Sequence, residues 1–154
     1  LMKRGVKAEQ VQAMTRLAKR YGIATGMFLM WGFEDENEDD IAQTVEHVKR
    51  ANPDLVLTTV SYPIKGTEYY GRMTEQNLVT GNGAWEQSND RDFHIAGRHS
   101  KRYYDFVNRW MHNELALQRM QESGNGAWLQ RARKKMSAQL GKLGMRWTVR
   151  EKEA

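Results

Sequence analysis

Between residues 24 and 70 the chain carries two short apolar runs separated by one amphipathic segment, and that order leaves few folds open. Residues 27–31, Met-Phe-Leu-Met-Trp, are unbroken apolar sequence stopped by Gly32, the pattern of a strand covered on both faces. Residues 55–61 form the second run, rich in β-branched side chains, and break at Tyr62-Pro63. Ile41, Val45 and Val48 recur between them at helical spacing. Asn37 is placed as the N-cap of that helix, with Asp40 three residues on as in a capping box, and Asn52-Pro53 ends it. Two buried strands joined by one helix are expected to run parallel with a right-handed crossover. Both following loops then open at one edge of the sheet, where α/β folds place ligands. Two strands do not make an independent parallel sheet, and no third convincing run is present, so the unit is expected to need neighbours.

The flanking sequence fits the same layer. Residues 8–21 read as a helix with Val11, Met14, Leu17, Ala18 and Tyr21 on one stripe, closed by Gly22. Helix, strand, helix, strand with short loops is the signature of an α/β layer or barrel. Residues 71–97 read as an irregular connection with a turn at Gly81-Asn82-Gly83. Residues 98–122 form a long helix with Tyr104, Val107, Trp110, Met111, Leu115 and Leu117 towards a core. A last helix, residues 127–143, puts Trp128, Leu129, Ala132, Met136 and Leu140 on one side and ends at Gly144. Gly-Asn-Gly-Ala-Trp occurs at residues 81–85 and again at 124–128, each time as a turn before a helix start.

Composition removes several chemistries. The chain has no cysteine, which excludes disulfides, thiolate metal sites and cysteine nucleophiles within it. No Gly-x-Ser-x-Gly elbow or phosphate-loop lysine motif supports acyl or nucleotide hydrolysis. Neither a long apolar run nor an N-terminal signal pattern is present, so a cytoplasmic protein with no membrane span is expected. His94, His99 and His112 lack a carboxylate at ligand spacing, and the six acids between Glu34 and Asp40 crowd a helix start with several facing solvent. No metal site is expected from either set. The net charge of +5 hides an asymmetry: residues 1–97 carry 11 Lys and Arg against 14 Asp and Glu, residues 98–154 carry 13 against 5. The basic third gives one functional reading, a free-standing binding module for nucleic acid or an acidic protein partner. The lack of aromatics interleaved with the basic residues argues against nucleic acid.

The two strand ends together carry a second reading. Gly32-Phe33-Glu34-Asp35-Glu36-Asn37 resembles the Gly-Leu-Pro-Gly-Glu-Thr turn after the fifth strand of radical S-adenosylmethionine (SAM) enzymes. Tyr62-Pro63-Ile64-Lys65-Gly66-Thr67-Glu68-Tyr69-Tyr70 resembles the Pro-Leu-Pro-Gly-Thr-Pro-Leu-Tyr segment after their sixth. Lys3-Arg4-Gly5 and the first helix resemble the lead-in to that fifth strand, so the match covers residues 1–70. Asp90-Arg91-Asp92-Phe93-His94, Arg98 and Tyr103-Tyr104 resemble the helical extension of the cobalamin-binding subgroup.

The resemblance implies an α/β fold that is the C-terminal portion of a parallel (β/α) partial TIM barrel, followed by an α-helical extension. Residues 1–70 would be the last barrel repeats, 71–97 the connection, and 98–154 the basic extension. It implies a [4Fe-4S] cluster that reductively cleaves SAM to a 5′-deoxyadenosyl radical, with cobalamin as a further cofactor of the subgroup. By position, Met30 would pack against adenine, Gly32 would let backbone come close, Glu36 is the acid of the turn, and Ser61, Tyr62 and Pro63 would make backbone contacts near adenine. Departures limit what this chain does alone. Glu34 and Asp35 replace Pro-Gly, Lys65 replaces the second proline, and the three-cysteine cluster motif is missing, as is the ribose-binding element. The partner implied is the N-terminal part of the same enzyme; alone, the chain is expected to be inactive and to expose an apolar sheet edge, with residues 55–61 or their partner strand lacking a neighbour.

Overall fold

The computed structural model describes residues 5–80, 94–124 and 126–153. Helix α1 (Ala8–Arg20) leads to strand β1 (Gly26–Trp31), helix α2 (Glu38–Ala51) and strand β2 (Leu55–Val60). Then come α3 (Glu68–Glu75), a short antiparallel pair β3 (Val79–Thr80) and β4 (His94–Ile95), and the long helices α4 (Lys101–Glu122) and α5 (Trp128–Thr148). The fold is thus α/β, two parallel strands alternating with helices, then a C-terminal helical hairpin.

β1 and β2 pair in parallel with Met27 opposite Val56 and Trp31 opposite Val60. The helix between them starts where its cap residues dictate. The N–H groups of Asp39 and Asp40 donate to Asn37 Oδ1, and Asn37 N–H donates back to Asp40 Oδ2 at 3.0 Å. It ends at Asn52, which takes the left-handed conformation at φ 48°. Ile41, Val45, Val48 and Ala51 of α2 join Met27, Trp31 and Val56 in one core with Tyr103, Val107, Met111 and Leu115 of α4. The Trp31 indole N–H, deep in that core, donates to Asn108 Oδ1 at 2.8 Å. Arg119, near the far end of α4, donates to the carbonyls of Pro53 and Asp54 and to Asn52 Oδ1.

Four features depart from the sequence-based expectation. The strands are apolar on both faces but covered on one: Phe28 is 80% exposed, and Met30, Leu55 and Leu57 share its open side. Strand alternation sends Met27 and Trp31 to the helices and Phe28 and Met30 the other way. On α1, Gln12 and Thr15 are buried, while Met14, Leu17 and Tyr21 face solvent. Polar ties to α2 account for this: Gln12 Nε2 lies 3.0 Å from His47 Nδ1, and Arg16 donates to the Arg50 carbonyl. The connection 71–97 contains the end of α3 and the β3–β4 pair rather than irregular chain alone. The Gly81-Asn82-Gly83 turn, the first Gly-Asn-Gly-Ala-Trp copy and residues 90–93 lie outside the described residues.

The last departure is in α5, which runs through Gly144 to Thr148. Gly144 does not stop the helix because it is part of the seam on α4. A Cβ at Gly141 would stand 2.6 Å from the Trp110 backbone nitrogen, and one at Gly144 2.4 Å from the Phe106 ring. Close backbone approach, not chain reversal, is what those glycines permit. The seam is completed by Ala138, Met145 and Thr148, so Trp128, Leu129, Met136 and Leu140 are left in solvent. No helix among the described residues is long and apolar enough to cross a membrane.

Candidate functional site at the strand ends

Because β1 and β2 are parallel, their following loops meet at one rim, where Ser61 N–H donates to the Trp31 carbonyl at 2.7 Å. The chain leaves β1 through Gly32 at φ +72°, a conformation that L side chains rarely adopt. Gly32 N–H donates to Glu36 Oε2 at 2.8 Å, and Glu36 N–H returns to the Phe33 carbonyl, so the turn closes on itself. A Cβ on Gly32 would lie 2.7 Å from Tyr104 Oη and 2.8 Å from Arg98 Cδ. The close approach that glycine allows is therefore occupied on that side by α4 and by the segment before it.

Arg98 organises the rim. Its guanidinium donates to the Ser61 carbonyl and to Glu153 Oε2, the latter at 2.7 Å, with the side chains only 8% and 15% exposed. The backbone reinforces the tie: Glu153 N–H donates to the Arg98 carbonyl and Gly97 N–H to the Glu153 carbonyl. The C-terminal strap 151–153 is thereby fastened beside the loop after β2. Across the rim, Thr67 caps α3 by accepting from Tyr70 N–H, which sets Tyr69 against Phe33 with ring centroids 5.7 Å apart. Arg72 pairs with Glu34 at 3.0 Å.

These groups line a cavity of about 560 Å³ that includes Gly32, Glu36, Tyr69, Arg98, His99 and Tyr104, a volume within the range of small-molecule sites. Its lining carries charge of both signs, with Glu34, Asp35 and Glu36 among the acids and Arg98 and Lys152 among the bases. Burial raises the Glu36 carboxyl above its ordinary value, opposed by the Gly32 N–H and aided by Asp40. Burial also pushes the Tyr103 hydroxyl up to about 12 and the Tyr104 hydroxyl higher still, helped by the charge of Glu36. His99 stacks on Tyr103 at 4.1 Å, and burial with the adjacent Lys152 lowers its basicity. The tyrosines are hydrogen-bonding hydroxyls near neutral pH, not bases.

The residues singled out from sequence divide between two places. Gly32 and Glu36 line the cavity. Met30 does not; it is 44% exposed on the open sheet face, across from Thr59. Ser61 and Pro63 are buried at the rim and Tyr62 is half-buried beside them. The Ser61 carbonyl is already taken by Arg98, and its side chain meets Tyr69. Arg98, Tyr104 and Glu153 escaped sequence reasoning as parts of this site, because their neighbours come from 37 and 55 residues away. A charged residue just before a helix N-cap was the one local signal. Among the described residues no group of three or more His, Asp or Glu side chains is placed to hold a metal ion. Comparison of the chain with family models, curated proteins and solved structures gave no match.

Proposed function

We propose that this chain is the C-terminal part of a radical SAM enzyme, forming the last two strands of a partial (β/α) barrel and contributing the adenine side of the SAM site. The observation that carries the reading is the parallel β1–β2 pair, which brings Gly32 and Ser61–Pro63 to one rim while leaving Phe28, Met30, Leu55 and Leu57 open on the face away from the helices. Helices on one side and a bare apolar face on the other is what two staves of a barrel look like from within. Each strand has one strand neighbour among the described residues, so each has an edge free for a further stave.

The cluster does not fit the residues present, since the chain has no cysteine, and the part of the enzyme ahead of this segment would have to supply it. SAM fits in part. Met30 presents a thioether side chain on the open face near the strand end, suited to packing on a flat base. Gly32 is packed by Tyr104 and Arg98 on one side, so only its other side remains for a ligand. Glu36 holds the Gly32 turn, and Arg98 holds the Ser61–Pro63 loop. In this reading both act by fixing backbone. Held beside a cluster on the rest of the enzyme, SAM would supply a 5′-deoxyadenosyl radical, and the role of this chain's residues would be to fix the backbone of the Gly32 turn and the Ser61–Pro63 loop.

The test is anaerobic reconstitution, with iron and sulfide, of the gene-encoded polypeptide that contains this segment. Reduction with SAM present is expected to release 5′-deoxyadenosine, and Met30→Asp is expected to raise the SAM concentration required. A polypeptide without a Cys-x-x-x-Cys-x-x-Cys run ahead of residue 1, or one that leaves SAM intact, would overturn the reading.

A further inference from the structure

Helix α5 carries an apolar stripe that the fold does not use. Leu129, Met136, Leu140, Leu143 and Trp147 follow one another at spacings of seven, four, three and four, which places them on a single face. All five are exposed, from 49% at Leu140 to 78% at Trp147. The α4-facing seam of Ala138, Gly141, Gly144, Met145 and Thr148 lies on a different side of the helix. Within its 21 residues α5 has six Lys and Arg and no Asp or Glu. Arg146 is held by Glu38 and Lys142 sits over the Trp110 ring, but Arg133, Lys134 and Lys135 make no ion pair among the described residues.

We propose that α5 is a peripheral docking helix for an anionic lipid surface, its Leu129–Trp147 stripe entering the headgroup boundary and its basic flanks meeting the lipid phosphates. Opposite the stripe lies the α4 seam, so the cations flank the stripe rather than face it, and a Leu- and Trp-bearing stripe edged with Lys and Arg has the composition of a helix that lies in the interface plane. At 21 residues it is about 31 Å long and would rest along the surface. Trp128 and Trp147, 79% and 78% exposed, mark its two ends, and indole rings favour headgroup depth. Charge decides against a second copy of the chain: pairing α5 with itself would oppose six cations to six, with no carboxylate on either helix. The acidic turn of a second copy is also engaged at home, Glu34 with Arg72, Glu38 with Arg146 and Asp40 in the α2 cap. This surface is separate from the strand-end rim, and the proposal does not depend on the radical SAM reading.

The test is flotation of the 154-residue chain with unilamellar vesicles of phosphatidylcholine, with and without phosphatidylglycerol. Binding is expected on the anionic vesicles only, weakening with salt, with tryptophan emission quenched by brominated lipid. Leu140→Glu with Leu143→Glu is expected to weaken partition by about tenfold or more at unchanged helicity. Lys134→Glu with Lys135→Glu is expected to abolish the anionic preference, whereas Phe28→Ser, on the open sheet face, leaves partition unchanged. If the leucine double variant fails to fold, quenching in the wild-type chain and the lysine variant still decide. Equal binding to neutral vesicles, no binding at low salt, unaltered partition of a folded leucine double variant, or loss on Phe28→Ser would overturn the proposal. So would capture by an acidic amphipathic peptide without vesicle binding, which would mark α5 as a protein-docking surface.

Discussion

Arg98 and Glu153 meet at 2.7 Å, nearly out of solvent, although 55 residues separate them in the chain. Because the same guanidinium also holds the Ser61 carbonyl, the pair joins the C-terminal strap to the loop after β2. Arg98→Ala leaves a mostly buried carboxylate and an orphaned carbonyl, and is expected to cost about 3 kcal/mol, the lower end of the range for breaking a buried pair. Urea unfolding of the two proteins measures it. A loss below about 1 kcal/mol would mean that solvent replaces the guanidinium freely.

Gly141 and Gly144 sit three residues apart on one seam and should tolerate substitution differently. Alanine gains about 1 kcal/mol of helix propensity over glycine. At Gly141 the new methyl would meet the Trp110 backbone at 2.6 Å, which side-chain rotation cannot relieve. Gly141→Ala is expected to destabilise by about 1–3 kcal/mol. At Gly144 the obstacle is the half-buried Phe106 ring, which can rotate aside, so Gly144→Ala should cost less. Thermal unfolding of both variants orders them, and the reverse order would refute the seam as described.

Three histidines give the chain a pH dependence of definite sign. Burial lowers the basicity of His47, His99 and His112 below the ordinary 6.5, with Lys152 adding to the effect at His99 and Arg119 at His112. The unfolded chain therefore binds protons that the folded chain refuses as pH falls through 6.5. Stability is expected to be fullest above that value and to decline below it, until the lowered folded values are passed. Melting temperature followed across this range should show the decline, and His99→Gln should flatten part of it. A melting temperature that rises on acidification there would contradict the burial of these rings.

The open sheet face predicts behaviour in solution. Phe28→Ser and Leu57→Thr remove exposed apolar surface that contributes little to this core, so stability should stay within about 0.5 kcal/mol. Self-association, measured by sedimentation as a function of concentration, should fall. A substantial loss of stability with no change in association would mean that the face is packed in solution.

Much of the fold could be read from residues whose information is local. Asn37 and Asp40 fix the start of α2, Asn52-Pro53 its end, and the Met27–Trp31 and Leu55–Ser61 runs the strands. The α4 core followed from its periodicity through Tyr104, Val107, Met111 and Leu115. Orientation was less legible. Met14, Leu17 and Tyr21 form as good a stripe as any in the chain, yet α1 turns Gln12 and Thr15 inward, because hydrogen bonds to His47 and Arg50 set its rotation. Gly144 reads as a stop until the closeness of Phe106 is known. In the candidate site, Gly32 and Glu36 were legible as a strand-end turn, whereas Arg98 and Glu153 were not, since no periodicity encodes a contact across 55 residues.

Arginine also grips β2 at its other end. Arg119, one turn before α4 finishes, binds carbonyls just ahead of Leu55, and Arg98, just before α4 begins, binds the carbonyl just after Val60. The helix therefore works as a gauge laid along the strand, calibrated to six residues. An inserted or deleted residue in β2 would have to unhook one of the two guanidinium groups, so the strand's length is guarded by a segment that begins some forty residues downstream of it.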